Sequence, residues 1–250
     1  MELMITKLLG FVLVLTRTSA FFLVAPIFSG EVIPVRIRVA IILLISIFFS
    51  SISPSAVNFE QISELEAILL ISNEVIYGLA LGLITILIFS AVKLAGQMIE
   101  REMGLSMAEV LDPLSGESAE SLSILLEMLF ILVFLSANGH HLLLLLISKS
   151  YQAFPAGSIS TIPVLLEGIL KAGSTMLLAS LRLAAPMLAA FLLLLVVLAV
   201  FARLIPDMDI LFISMPLRVG LGLLMLGAFL PFINQFVSEF ADWMGKLVPL

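Results

Sequence analysis

The sequence predicts an all-α, multi-pass membrane protein of long, partly broken helical hairpins. Three observations carry that expectation. Hydrophobic residues make up 62% of the 250 and charged residues only 12%, with a mean hydropathy of +1.26. A soluble domain could not keep that much apolar surface off its own exterior. The apolar residues also gather into blocks of about 20 residues or more, enough for a helix to cross a hydrocarbon core roughly 30 Å thick. Finally, the alternating pattern of an outer-membrane strand is absent. Backbone groups in lipid must be satisfied within their own segment, which leaves helices.

The first block covers residues 8–29 and is ended by Gly30-Glu31 and Pro34. Lys7 precedes it, but Arg17 interrupts it and no small-x-small cleavage site follows. It is therefore expected to be kept as a helix rather than removed as a signal peptide. The second block, 39–57, ends at Ser53-Pro54, and an acidic connection runs from Asn58 to Glu66. The third, 65–95, extends as one helical pattern from about Glu64 to Met103. At 1.5 Å per residue that is roughly 55–60 Å, nearly twice the hydrocarbon thickness. A charged stretch, GQMIEREMGLSMAEVLDPLSGES, follows over 96–118.

The fourth block is 122–147. Phe154-Pro155-Ala156-Gly157 and Pro163 introduce the fifth, 164–202, which is again over-long and carries Pro186 inside it. Ile205-Pro206-Asp207 separates it from the last, 210–237. Each block is long enough to span a bilayer. No linker is long enough to separate domains, so residues 1–250 are expected to form one membrane-embedded subunit. Hairpins and the long helix would occupy 1–103, a loop 104–121, and C-terminal hairpins 122–250.

Charge placement adds two clues. The loops at 31–38, 93–121 and 203–209 carry Arg36, Arg38, Lys93, Arg101 and Arg203, while the opposite set carries Lys7, Lys149, Lys171 and Lys246. That near balance gives no positive-inside signal, as expected of a chain whose position is fixed by partner subunits. The net charge of −6 is mostly local: residues 100–120 hold six acids against Arg101. No basic run points to nucleic acid or to a polybasic lipid clamp.

Arg17, Glu74, Glu127, Arg182 and Arg218 lie inside apolar segments. A lone charge at the bilayer centre costs several kcal/mol, so each should face protein, water or an opposite charge. Gly78 and Gly82 follow Glu74 at i+4 and i+8 and share its helix face. That spacing predicts a close helix approach beside a partner bearing a base. Lys93, Gln97, Glu100 and Arg101 form a polar stripe near the end of the same helix. Periodicity leaves two readings of it open, a helix leaving the bilayer or one lining a wet passage.

Little points to a reaction. Cysteine is absent, which removes thiol catalysis, disulfides and zinc-thiolate sites. His140-His141 are the only histidines, and helix neighbours diverge by about 100°, poorly placed to share one metal. No HExxH motif, phosphate-binding glycine loop or nucleophile elbow occurs. An enzyme is not expected, nor any metal or other cofactor. Transport, channel formation or scaffolding remain, a stand-alone small-solute transporter among them, although no repeat of two related halves is evident.

A resemblance narrows this. Ile33-Pro34-Val35-Arg36-Ile37-Arg38-Val39, the stretch Gln97 through Met103-Gly104-Leu105-Ser106, and Asp112-Pro113 resemble the FliR family of flagellar biosynthetic proteins. So do Leu135-Ser136-Ala137-Asn138-Gly139-His140, Arg203-Leu204-Ile205-Pro206 and Phe212-Ile213-Ser214-Met215-Pro216-Leu217. The matches run in order over nearly the whole chain. The injectisome counterpart is the near neighbour, and the N-G-H and M-G-L-S stretches look more flagellar.

The resemblance implies a subunit of the export gate of the flagellar type III secretion system. It implies FliP-like and FliQ-like partners wound into a helical assembly, with an FlhB-like subunit at the gate entrance. It implies placement in the bacterial inner membrane within the flagellar basal body, contact with lipid, and unfolded flagellar proteins as cargo. In-helix charges would then find partners across subunit joints. The family's loop after the long helix projects into the pore as a plug, which here is residues 104–118. The sequence departs from the family at Met107 and Val110, where aromatics are common, and at Asp207 and Asp209, where amides are usual.

Taken alone, that stretch reads as an ordinary acidic loop. With the resemblance it reads as a soft gasket. Ser106-x-x-Glu109 is a capping-box pattern that could start one helical turn. Asp112-Pro113 would end it, because the residue before proline disfavours helix. Leu105, Met107, Val110 and Leu111 would supply the apolar surface, and methionine adapts to an irregular lumen. Gly104 and Gly116 would act as hinges.

Overall fold

The computed structural model describes residues 2–29, 33–52, 63–105, 121–158, 162–205 and 210–229. Every regular element among them is an α-helix. Helix α1 (Glu2–Val24) runs into the single turn α2 (Pro26–Ser29). The Ala25 N–H still reaches the Phe21 carbonyl at 2.8 Å, but Pro26 has no N–H to give, so the ladder breaks there. Helix α3 (Val35–Ile52) starts on Pro34, whose carbonyl accepts from Ile37 and Arg38 at 3.0 and 3.1 Å. Proline costs nothing at a helix start, where an N–H would be idle. Helix α4 (Glu64–Met103) is unbroken for 40 residues. The Ser63 N–H donates to the Glu66 carboxylate at 3.0 Å, half of a capping box at its entry.

Next come α5 (Ser121–Ser136), α6 (Gly139–Ala153), α7 (Ile162–Leu204) and α8 (Ile210–Phe229). Pro186 lies within the 43 residues of α7, and Pro216 within α8. Pro is tolerated in apolar helices when neighbours re-satisfy the freed carbonyl.

The expectation that the block over 122–147 runs as one helix needs correction. Among the described residues, α3, α4 and α7 are long and apolar enough to cross a bilayer by themselves. Leu8–Val24 and Phe212–Ala228 are shorter apolar helices. The block read over 122–147 is two helices that qualify only as a broken pair. The break has a local cause: Asn138 adopts a left-handed conformation, with φ 59° and ψ 26°. Asparagine tolerates that region better than other residues with a Cβ.

Two compact units interleave along the sequence. The described residues of the first lie within Met1–Ile88 and Asn138–Ser174, and those of the second within Phe89–Ala137 and Thr175–Glu239.

In the first unit, α1 packs on α3. Ile42, Ser46 and Phe49 are the buried positions of α3, spaced as one helix face. Phe21 meets Phe22 edge to face, and Phe22 meets Phe28 the same way, at 5.4 and 4.6 Å between ring centroids. In the second unit, Phe89 of α4 sits edge-on to Phe130 and Phe134 of α5, at 5.5 and 5.2 Å. Gly96 lets these two helices close up: a Cβ there would lie 2.7 Å from the Ser123 α-carbon.

Candidate functional site

Two constellations gather the charged residues singled out by the sequence. The first is in the first unit and centres on Arg17 of α1. Both Arg17 and Glu74 of α4 have fully buried side chains. Arg17 Nε donates to Glu74 Oε2 at 2.6 Å and Nη2 to Oε1 at 3.0 Å, a two-pronged pair. Nη1 donates to the carbonyls of Ser150 and Phe154 at 3.3 and 2.9 Å. The Gly157 N–H donates to Glu74 Oε1 at 2.8 Å. Asn73 Nδ2 adds a bond to the Ser158 carbonyl at 2.7 Å.

The chain has only two tyrosines, and both rings lie on this guanidinium. The Arg17 ζ carbon is 4.5 Å from the Tyr77 centroid and 4.4 Å from the Tyr151 centroid. A desolvated cation gains from aromatic faces on top of its ion pair. The Tyr151 hydroxyl donates to the Val14 carbonyl at 3.0 Å, so it must accept from Thr18 Oγ1 at 3.2 Å. The Tyr77 hydroxyl is buried with no hydrogen-bond partner among the described residues.

Gly78 and Gly82 lie against α1. A Cβ on Gly78 would lie 2.4 Å from the Arg17 carbonyl oxygen and 2.6 Å from the Ala20 Cβ; one on Gly82 would lie 2.7 Å from the Val24 Cβ. The two glycines therefore let α1 lie directly on α4, and that approach brings Arg17 to Glu74. The base facing Glu74 belongs to this same chain. The cluster ties α1, α4, α6 and the turn at 154–157 into one body. Apart from the Tyr77 hydroxyl, its polar groups satisfy one another.

The second constellation is the end of α4 in the second unit. The polar stripe divides there: Lys93 and Gln97 are half-buried and Arg101 is exposed, but Glu100 is only 3% exposed. Its carboxylate turns onto the first turn of α5, where it accepts from the N–H groups of Leu122 and Ser123 at 3.3 and 3.4 Å. A carboxylate suits that spot because a helix N-terminus presents idle N–H donors and positive dipole. Helix α4 then stops in a Schellman arrangement. Gly104, at φ +78°, donates to Arg101, and Leu105 donates back to the Glu100 carbonyl, at 3.1 and 3.3 Å. Only a residue without a Cβ takes that conformation freely.

Helix α8 braces the same corner. Arg218 Nη1 donates to the Glu102 carbonyl at 3.4 Å. One turn on, Gly222 receives the Met103 side chain, whose thioether atoms would lie 2.6 Å from a Cβ there. Ser106, Met107, Val110, Leu111, Asp112, Pro113 and Gly116 lie outside the described residues, as do Asp207 and Asp209.

Glu127 is half-buried and Arg182 exposed. Neither has an ion-pair partner among the described residues. His140 and His141 lie ring against ring, 4.2 Å between centroids, in the first turn of α6. Sequence reasoning missed Tyr77, Tyr151 and Asn73. One signal existed: Asn73 adjoins Glu74, and Tyr77 follows it at i+3, on the glycine face.

Comparison with known proteins gives a consistent answer. The family described as "Bacterial export proteins, family 1" matches residues 8–244. The chain is 31% identical over 225 residues to the flagellar biosynthetic protein FliR of Escherichia coli (strain K12), covering 90% of this chain and 85% of that protein. Identity to the protein of the same name from Bacillus subtilis (strain 168) is also 31% over 225 residues, covering 87% and 84%. The Yop proteins translocation protein T of Yersinia pestis is 27% identical over 232 residues, covering 90% and 87%.

Proposed function

The chain belongs to the bacterial export proteins, family 1, and from that membership we propose that it is a subunit of the flagellar type III protein export gate. Its part would be to help form the pore through which unfolded flagellar proteins cross the inner membrane. The observation that carries this is likeness to FliR proteins over most of the chain, 90% of it against the Escherichia coli relative. The physics agrees in kind. Helix α7 carries a long apolar surface that its own chain leaves uncovered, Leu170, Leu193 and Leu204 among it. Such faces suit an assembly subunit. No catalytic role is assigned to it.

FliP-like and FliQ-like subunits are the proposed neighbours, with an FlhB-like subunit at the entrance, all in the inner membrane at the flagellar basal body. The loop over 104–118 is the proposed plug. Support comes from the described residues on either side of it: Gly104 stops α4 sharply, and Glu100 bonds the first turn of α5. A loop whose ends are fixed can present its apolar tip at one place.

The test is genetic and biochemical. Deleting the gene should abolish motility and filament export, and a tagged copy should restore both while co-purifying with FliP- and FliQ-like proteins in one large complex. A chain that is stable alone and moves a small solute in liposomes would point to the stand-alone transporter. The Yersinia likeness keeps an injectisome role as the second reading; loss of effector secretion with motility intact would select it.

A further inference from the structure

The turn that follows α6 has its shape held from outside. Helix α6 cannot run past Phe154, because Pro155 brings no N–H and disfavours helix in the residue before it. Phe154 sits at φ −134° and ψ 87°. The chain then reverses through Pro155-Ala156-Gly157-Ser158, closed by the Ser158 N–H on the Pro155 carbonyl at 3.0 Å. Gly157 has φ +85°, and Asn138 is the one residue other than glycine with a positive φ among the described residues. A positive φ at the third position alone makes this a type II turn. The commoner type I differs by a flip of the peptide between the second and third residues, here Ala156–Gly157, and glycine fits either form. The closing bond is shared by both types, so it does not choose between them.

Glu74 makes the choice. A flip would reverse the Gly157 N–H, and that N–H donates to Glu74 Oε1 at 2.8 Å. Two further grips lie on either side. Arg17 Nη1 holds the Phe154 carbonyl at 2.9 Å, and Asn73 Nδ2 holds the Ser158 carbonyl at 2.7 Å. Side chains of α1 and α4 thus hold the backbone before, within and after the reversal, with Ala156 buried between the grips at 1% exposure. Arg17 and Glu74 are in turn locked to each other. An ion pair that only pinned α1 to α4 would need none of these three backbone bonds. Helix α7 begins at Ile162, four residues beyond the last grip.

We propose that Arg17, Glu74 and Asn73 are positioning residues, a clamp that keeps the 154–158 turn in its type II form and so fixes the start of α7. Helix α7 carries the long uncovered apolar surface, and its starting direction governs how that surface meets neighbouring subunits. This consequence for assembly rests on the export-gate reading; the clamp itself does not.

The chain has no cysteine, so Ser158→Cys gives a single thiol at the end of the turn, where the serine Oγ is buried. In the full chain in native membranes, its rate of modification by N-ethylmaleimide reads local opening of the turn. The parent should react slowly. Asn73→Ala should raise the rate about fivefold, the effect of one lost hydrogen bond. Arg17→Leu combined with Glu74→Leu should raise it at least about tenfold, although replacing both members of a buried pair spares much of the stability. Gly157→Ala strains the positive φ while leaving the ion pair in place, and should also speed labelling. In these variants the membrane level, read by immunoblot, should stay near that of the parent while co-purification of FliP- and FliQ-like proteins falls. A pair that serves stability alone gives the reverse, a lower level with slow labelling of what remains. Labelling at the parent rate in Asn73→Ala and Gly157→Ala would overturn the clamp, whether or not the double leucine chain accumulates. Fast labelling with undiminished co-purification would overturn its consequence for assembly. Co-purification of the parent chain is the control: its absence marks failure of the gate reading, and the order of labelling rates still decides the clamp.

Discussion

Arg17 and Glu74 lie 57 residues apart in the chain, yet close a fully buried two-pronged ion pair at 2.6 and 3.0 Å. Neither partner is tolerable without the other. Removing one side of a buried pair typically costs about 3–5 kcal/mol, while replacing both with apolar residues is often close to neutral. Glu74→Leu should therefore collapse the thermal stability of the detergent-purified complex, and Arg17→Leu should do the same. The double variant should be less damaged than the sum of the two. Additive losses would mean the pair is not the unit described here.

The tyrosines make a sharper comparison. Tyr151 uses its hydroxyl twice, toward Val14 and Thr18, whereas the buried Tyr77 hydroxyl meets no described partner. Both rings face Arg17, and phenylalanine keeps the ring. Tyr151→Phe should cost about 1–2 kcal/mol, because it strands a carbonyl and a hydroxyl. Tyr77→Phe should be neutral or slightly stabilising, because it removes an orphan. Equal losses in a denaturation series would contradict this assignment.

Glycine positions separate close approach from mere occurrence. A methyl group on Gly78 would press on the Arg17 carbonyl, while one on Gly173 would meet nothing within 4 Å. Gly78→Ala should cost about 1–3 kcal/mol through overpacking. Gly173→Ala, within α7, should gain about 0.5–1 kcal/mol from reduced backbone entropy. Cell levels of the two variants, compared by immunoblot after a mild heat step, would show the sign of each.

Asn138 is the left-handed residue between α5 and α6. Asn138→Gly should be accepted, since glycine adopts that conformation freely. Asn138→Val should lose about 1–3 kcal/mol, because a β-branched side chain is strained there. Limited proteolysis of the purified complex should show faster cutting only in the valine variant.

How much of this could be read in the sequence depends on whether the signal was local. The unbroken helix from Glu64 to Met103 was readable because no proline or cap interrupts its apolar run. The break at Asn138 was not, because an Ala-Asn-Gly step inside an apolar block is compatible with a continuous membrane helix until the dihedral angles are seen. The need of Arg17 and Glu74 for partners followed from burial cost alone. Their mutual choice, with two tyrosines around it, came from tertiary contacts 57 to 137 residues apart in sequence. Glu100 is the instructive miss. Helical spacing put it on a polar stripe with Lys93, Gln97 and Arg101, but its side chain left that stripe to cap α5. Periodicity assigns a face; it cannot see donors waiting 22 residues further along.

The corner built by Glu100 also bears on the proposed plug. If residues 104–118 close the pore at rest, two different lesions should open it. Deleting 106–114 removes the apolar tip and should make cells permeable to small ions while the complex still assembles. Glu100→Ala keeps the tip but frees the first turn of α5, where the carboxylate now holds two N–H groups. Losing such a cap costs about 0.5–2 kcal/mol, enough to raise the open fraction several-fold without unfolding the subunit. The leak from Glu100→Ala should therefore be smaller than that from the deletion. Gln keeps an acceptor oxygen, so Glu100→Gln should sit between wild type and alanine. Conductance read from membrane-potential dyes in non-exporting cells orders the four strains. A deletion strain as tight as wild type, with the complex intact by co-purification, would remove the plug from this loop. A leak in the deletion strain but none in Glu100→Ala would remove only the latch.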